Sequence, residues 1–203
     1  MSDARLDYPA TSRNREPILA VLKEWLSPQA QVLELGCGSG QHAAYFVPRL
    51  GEGLRWTPTD PDPACVASAN AWLADSGLES QPKARQLDCL DEPWGITGPF
   101  DTVYCANVVH IAPWAVAKGM MRGSAALLGP GGQLITYGPY RRNGAHTSES
   151  NAAFDERLKS RNPDWGVRDL EAIETLAAEQ LLNLDEVRQM PANNLMLRFV
   201  RTS

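Results

Sequence analysis

The sequence has no long apolar run. Nothing in its 203 residues approaches the roughly 20 consecutive apolar residues of a membrane span. The opening stretch, MSDARLDYPATSRNREP, has no apolar core of the kind a secretory signal carries. Both absences point to a cytoplasmic protein without a membrane partner. Positive charge is scarce too. Nineteen Lys and Arg face 24 Asp and Glu, a formal net charge of −5. A broad basic face is therefore not expected, nor is DNA as a partner. The four cysteines, Cys37, Cys65, Cys89 and Cys105, form no C-x-x-C pair, and none stands beside a histidine at zinc spacing. They read as free thiols in a reducing compartment, and no metal site is expected. Internal repeats and low-complexity segments are missing as well. With 43% hydrophobic and 21% charged residues the composition is globular, and the length suits one α/β domain.

What the chain does have is alternation. Residues 1–11 are small and polar and read as loose. Residues 12–26, with Ile18, Leu19, Val21, Leu22 and Trp25 on one face, read as a helix capped by Ser12. Strands are expected at 31–36, 54–60, 83–88, 100–109 and 133–138. Helices are expected between them at 41–49, 63–75 and 114–128. DEPWGITGP reads as a loop, and Gly129-Pro130-Gly131-Gly132 closes the helix before it. Such alternation implies βαβ units and a parallel sheet. Beyond residue 150 the pattern changes to helices at 150–159 and 168–180, then strands at 184–190 and 195–201. PANN joins the last two, with Asn193 and Asn194 suited to positive φ. The expected fold is α/β, Rossmann-like and doubly wound, mostly parallel with an antiparallel C-terminal hairpin.

The first strand runs into Gly36-Cys37-Gly38-Ser39-Gly40. Glycines there admit positive φ and a close ligand, and the next helix offers unpaired N–H groups. Together they suggest a binding loop at the carboxyl end of a strand. The dinucleotide fingerprint G-x-G-x-x-G wants glycine where Gln41 stands, and no Gly-Lys-Ser/Thr makes a P-loop. Two acids end the next strands. Asp60, in WTPTD, stands 20 positions after Gly40, where a carboxylate can accept both hydroxyls of a ribose. Asp88, in QLDCLD, is followed by Cys89. The plainer alternative is a glycine-rich turn and two capping aspartates.

These stretches, with RNREPIL, ELGCGSGQHAAYF, ANVVHIAPW, YGPY, HTSESNAAFD, NPDWGVRDLE and MPANNL, resemble the class I S-adenosylmethionine-dependent methyltransferases. More closely, they resemble a small, poorly characterised family that includes methyltransferase-like protein twenty-six. The resemblance covers nearly the whole chain. It implies a seven-stranded sheet with the last strand antiparallel, S-adenosyl-L-methionine as cofactor, and methyl transfer as the activity. Residues 1–203 would form one such domain, with 1–28 an arm and helix. Glu34, Gly36, Cys37, Gly38 and Gly40 match E/D-x-G-x-G-x-G in full and would wrap the amino-acid part of the cofactor. The resemblance puts Asp60 on the ribose and Asp88 on the adenine amino group, with Cys89 beside the ring.

A sulfonium methyl is already electrophilic, so such an enzyme mainly aligns a nucleophile and excludes water. A base is needed only when the acceptor is protonated. The acceptor belongs over the carboxyl ends of strands one, four and five. Asn107 and His110 stand at or beyond the end of the fourth strand. His110 reads as a base, a hydrogen-bond partner or a packed histidine, and Trp114 as pocket lining or core edge. The N/D-P-P-Y/F clamp for adenine or amide nitrogen is absent. After the fifth strand come Tyr137, Tyr140, Arg141, His146, Thr147, Ser148, Ser150 and Asn151. Tyr137 and His146 join His110 as catalytic candidates, and Ser148 or Ser150 can cap the next helix. Arg13 and Asn14 are either solvated or part of an N-terminal lid reaching cofactor or substrate. Arg168 and Asp169 are an ion pair between helices or pocket residues. Arg13, Arg15, Arg141 and Arg142 hint at an anionic acceptor. A small-molecule methyl acceptor is the leading expectation. Its rivals are a protein or RNA acceptor, an S-adenosylmethionine binder without turnover, and a nicotinamide oxidoreductase. The sequence carries no signal of oligomeric state.

Overall fold

The computed structural model describes residues 4–203. Helix α1 (Pro9–Trp25) begins earlier than residue 12. Tyr8 is its extended N-cap, and Pro9 occupies the first turn, where a missing N–H costs nothing. The residues ahead of it are tied down, which corrects the expected loose start. Leu6 N–H donates to Ser68 Oγ at 2.8 Å, Trp72 Nε1–H to the Leu6 carbonyl at 2.9 Å, and Tyr8 N–H to Gln41 Oε1 at 2.9 Å. Arg5 pairs with Asp75. Residues 1–3 of that expected loose stretch lie outside the described residues.

The chain continues through β1 (Gln31–Leu35), α2 (Gln41–Leu50), β2 (Arg55–Asp60), α3 (Pro63–Asp75), β3 (Arg85–Gln86) and β4 (Phe100–Ala106). Then come α4 (Trp114–Leu127), β5 (Leu128–Gly138), β6 (Tyr140–Arg142), β7 (Ala145–His146) and α5 (Glu149–Arg161). The last elements are β8 (Arg168–Asp169), α6 (Leu170–Ala178), β9 (Leu182–Met190) and β10 (Asn194–Arg201). Seven strands form one sheet in the order β3-β2-β1-β4-β5-β10-β9. Strand β2 runs parallel to β1 and β3, whereas β10 is antiparallel to both β5 and β9. This is the expected sheet. Strand β1 is buried along Val32–Leu35, in keeping with an interior parallel strand.

Four local departures stand out. Strand β3 is two residues long, because only Thr59 and Asp60 of β2 pair with it. Strand β5 starts at Leu128, so Gly129–Gly132 belong to its beginning, exposed as far as Gly131, and not to a closing loop. A small second sheet, β7-β6-β8, takes Arg168 and Asp169 out of the helix expected at 168–180, and α6 starts at Leu170. In the hairpin turn the positive φ values fall on Ala192 and Asn193, not on Asn193 and Asn194.

Contacts gather the chain into two compact units. The first comprises residues 4–88 with Pro99–Tyr104. Its core is aromatic: the Trp56 ring lies 5.8 Å from Phe46 and 5.3 Å from Tyr104, all three buried. Tilted pairs of this kind add about 0.5–1.5 kcal/mol each beyond area burial. The second comprises Cys89–Gly98 and Cys105–Ser203. Its core holds Met120 and Met121 of α4, Leu134 and Ile135 of β5, and Leu197 and Phe199 of β10. Two α4 glycines permit close packing there. A Cβ at Gly119 would overlap the Cys89 carbonyl, and one at Gly123 the Trp94 ring.

Candidate active site residues

In the first unit, β1 leads into a loop where Gly36, Gly38 and Gly40 are all left-handed, with φ of 65°, 53° and 84°. A side chain at Gly40 is doubly excluded, because its Cβ would overlap the Cα of Ala69 on α3. Cys37 N–H donates to the Thr59 carbonyl at 2.8 Å, which holds the loop beside the end of β2. There Asp60 is buried and oriented by two backbone donors. Its Oδ2 accepts Gly38 N–H at 2.9 Å, and its Oδ1 accepts Asp62 N–H at 3.0 Å. A carboxylate oxygen takes two hydrogen bonds, so each keeps capacity for a ligand hydroxyl. Leu87 N–H donates to the Asp60 carbonyl at 3.1 Å, leaving Asp88 half-buried just beyond β3.

Glu34 turns toward the core, where its Oε2 accepts Trp56 Nε1–H at 2.8 Å. Burial pushes its carboxyl up to about 7, opposed by that hydrogen bond and reinforced by Asp60. Cys37 is buried too, packed with Ala69 and Ala84. Burial, then the charges of Glu34 and Asp60, push its thiol far up, so it is no nucleophile. Arg13 is exposed. Asn14 is committed to a tie between α1 and α2, its Oδ1 lying 2.8 Å from His42 Nε2. Burial, helped by Arg15, lowers His42 to about 3, so the ring is neutral and donates this bond.

The N-terminal residue over the loop is Tyr8, which the sequence reading did not single out. A Cβ on Gly38 would stand 2.9 Å from its ring. The hydroxyl lies 3.7 Å from Cys65 Sγ, and that contact, with burial, pushes Tyr8 up to about 12. The phenol is therefore neutral across the physiological range.

In the second unit, Asn107 follows β4 in a left-handed conformation, φ 61°, and its N–H donates to the Tyr137 carbonyl at 2.8 Å. The turn brings His110 against the end of β5, where a Cβ on Gly138 would lie 3.2 Å from Nδ1. The His110 ring meets Phe154 edge-on at 5.5 Å, and its carbonyl accepts Gly166 N–H at 3.0 Å. Burial, then the charge of Arg168, lowers His110 to about 4. Asn107, His110 and the end of β5 carrying buried Tyr137 are thus brought together. Tyr140 is held apart in the core by a 2.8 Å bond to Thr136, and burial pushes its phenol up.

His146 sits on β7 with Nε2 3.3 Å from Asp155 Oδ2. Asp155, on α5, also accepts Val167 N–H at 2.7 Å and Lys159 Nζ at 2.6 Å. Burial works to raise its carboxyl, but those two hydrogen bonds and the Lys159 and His146 charges outweigh it and hold the group low. Ser148 caps α5, accepting Asn151 N–H at 3.2 Å. The Asn151 amide reaches Thr147 Oγ1 and the Asn193 carbonyl, each at 3.0 Å, so it ties the helix start to the hairpin turn. Arg168 donates to the carbonyls of Val109 (3.3 Å), Ala112 (2.6 Å) and Asp164 (2.7 Å), clamping the segment after β4. Arg141 pairs with Asp169 at 2.5 Å. Cys89 also lies in this unit, its carbonyl accepting Trp94 Nε1–H at 3.3 Å.

The model of a family described as protein of unknown function, DUF938, matches residues 5–201. The chain belongs to the DUF938 family. A ubiquinone biosynthesis O-methyltransferase of Xanthomonas campestris pv. campestris is 31% identical to this DUF938 chain over 110 residues, 53% of the chain and 42% of that protein. Among solved structures, an O-methyltransferase family protein from Burkholderia thailandensis is similar with a TM-score of 0.79 at 21% identity, over 96% of the chain and 58% of that one. Human N-acetylserotonin methyltransferase, solved with S-adenosylmethionine, is similar with a TM-score of 0.76 at 15% identity, over 96% and 53%. The DUF938 chain has the fold of these methyltransferases. It spans little more than half the length of the two structures and less than half of the curated relative. No helix among the described residues is long and apolar enough to cross a membrane.

Proposed function

We propose that this protein is an S-adenosylmethionine-dependent methyltransferase acting on a small molecule, and kin to the small family that includes methyltransferase-like protein twenty-six. Asp60 carries the reading: a buried carboxylate, braced by Gly38 N–H, at the end of the strand next to a left-handed glycine loop. The loop fits the amino-acid part of the donor because three left-handed glycines leave backbone, not side chain, on its surface. Bound S-adenosylmethionine would supply an electrophilic methyl group. The chain's own residues bind and orient. Gly36, Cys37, Gly38 and Gly40 receive the amino-acid part, Asp60 accepts the ribose hydroxyls, and Asp88 accepts the adenine amino group with Cys89 beside it. His110, neutral with a value of about 4, accepts a hydrogen bond from the acceptor rather than storing a proton. Tyr137 and Asn107 shape the same corner, and His146 contributes through Asp155. Likeness in fold to N-acetylserotonin methyltransferase, named for a small molecule, supports a small acceptor.

Calorimetry with S-adenosylmethionine, S-adenosylhomocysteine and NAD tests the donor, and a screen of metabolite pools with a labelled methyl group tests the activity. Binding of NAD but neither sulfur compound would overturn the reading. Once an acceptor is found, His110→Ala and Tyr137→Phe should each slow turnover; full activity in both would remove these residues from the acceptor site.

A further inference from the structure

The second unit contains a cavity of about 230 Å³ that no step above employs. Trp114, Arg141, Lys159, Val167, Arg168 and Asp169 line it. It adjoins the segments that follow β4 and β5: Arg168 is bonded to Val109 and Ala112, and Arg141 lies on β6, just past Gly138. Open α/β sheets gather ligands beyond the carboxyl ends of their strands.

Its charges do not balance. Three of these side chains are cations and one, Asp169, is an acid. Arg141 is matched by Asp169 at 2.5 Å, and Lys159 by Asp155 at 2.6 Å. Arg168 has no carboxylate within ion-pair distance among the described residues; three carbonyl oxygens hold it instead. Asp155 and Asp164 act on it from farther away; the buried Asp155 is already matched by Lys159, and Asp164 is exposed. Water screens a charge of that kind. A guanidinium cannot neutralise itself by losing a proton, so one positive charge stands uncompensated at the wall. Arg141 Nε and Asp169 Oδ1 lie behind the same wall, closed off from the cavity. The group the cavity offers to a ligand is therefore the Arg168 guanidinium. Beside them the wall is apolar, with Val167 and the Trp114 ring, which lies 5.7 Å from the Arg168 guanidinium. The space equals that of about eight waters and is smaller than the roughly 300–1,000 Å³ of drug-sized sites.

We propose that this cavity binds a small organic monoanion, a carboxylate borne on an apolar or aromatic body. The carboxylate meets the Arg168 guanidinium, and the body rests on Trp114 and Val167. Charge sets the class. One surplus cation suits a singly charged group, whereas a phosphate monoester brings close to two negative charges near neutral pH.

The test is calorimetric titration of benzoate, benzamide and phenyl phosphate near neutral pH, without any methyl donor. Benzoate should bind, and benzamide should bind about tenfold more weakly or not at all. Arg168→Gln should weaken benzoate about tenfold, and Arg168→Lys, which keeps the charge, by less. Because Arg168 also clamps three carbonyls, a second variant stands beside it. Ala172→Phe fills the cavity from an exposed position of α6 and leaves every charge in place, and it should abolish binding. No benzoate binding at millimolar concentration, equal binding of benzamide, or full binding by Ala172→Phe each overturns the proposal. Phenyl phosphate binding more tightly than benzoate overturns the carboxylate assignment. Since no methyl donor is present, failure here leaves the methyltransferase reading untouched, and failure of that reading leaves this one standing.

Discussion

Replacing Glu34 by Gln should remove a loss of stability that the protein suffers as pH rises. Burial lifts this carboxyl from its ordinary 4.5 to about 7, so the folded chain holds a proton that the unfolded chain releases. A raised acid contributes stability that is fully present below pH 4.5 and lost as pH climbs through about 7. At about 1.4 kcal/mol per pH unit the whole loss is about 3 kcal/mol. Gln keeps an oxygen that accepts Trp56 Nε1–H and has no proton to lose. Its amide N–H₂, buried in place of the second carboxylate oxygen, adds a cost of about 1–3 kcal/mol that does not vary with pH. The test is therefore the change with pH, not the offset. Urea unfolding of both proteins in mild acid and in mild alkali measures it. With a slope of about 2–3 kcal/mol per molar urea, the variant's midpoint should gain about 1 M on the parent between the two conditions. A separation equal in acid and alkali would refute the argument and place Glu34 ionised in the folded core.

Three further outcomes follow from the contacts. Asp60→Ala should weaken S-adenosylmethionine binding at least about tenfold by calorimetry; unchanged affinity would remove Asp60 from the ribose site. Asp155→Ala should cost about 1–3 kcal/mol at neutral pH, because it leaves the buried Val167 N–H without its acceptor. Since the Asp155 carboxyl is held below its ordinary 3.8, that contribution is present above this value and fades as pH falls through its folded value, which acid-range unfolding curves would show. Gly40→Ala should lower the melting temperature far more than Gly77→Ala. Both positions are left-handed, at about 1–2 kcal/mol for a side chain, but only Gly40 has Ala69 in the way, while a Cβ on Gly77 meets nothing within 4 Å.

The parts of this molecule that were legible in the sequence are those whose requirement is local. Gly36 to Gly40 announce a loop because five adjacent residues must adopt it together. Asp60 is found by its place at the end of the expected second strand, 20 positions after Gly40. The PANN turn was also readable, yet the positive φ values fall on Ala192 and Asn193 rather than on Asn193 and Asn194. Contacts across long stretches of chain left no trace. Tyr8 meets Gln41 and Cys65 at separations of 33 and 57 residues, and Asn14 meets His42 at 28. Strands of two or three residues, β6 to β8, are too short for any alternation to show. The acceptors for Arg168 are backbone carbonyls, which every residue type has, so its clamp could not be read from the identities of Val109 or Ala112.

The anchorage of residues 5–8 has a mechanical consequence. Tension applied ahead of Arg5 first loads the Arg5–Asp75 pair and the Leu6 bonds to Ser68 and Trp72, then the Tyr8 bond to Gln41. It reaches the ring that lies on Gly38 before any strand of the sheet bears load. A tether or purification handle fused at that end therefore pulls on the glycine loop, and one fused after β10 does not.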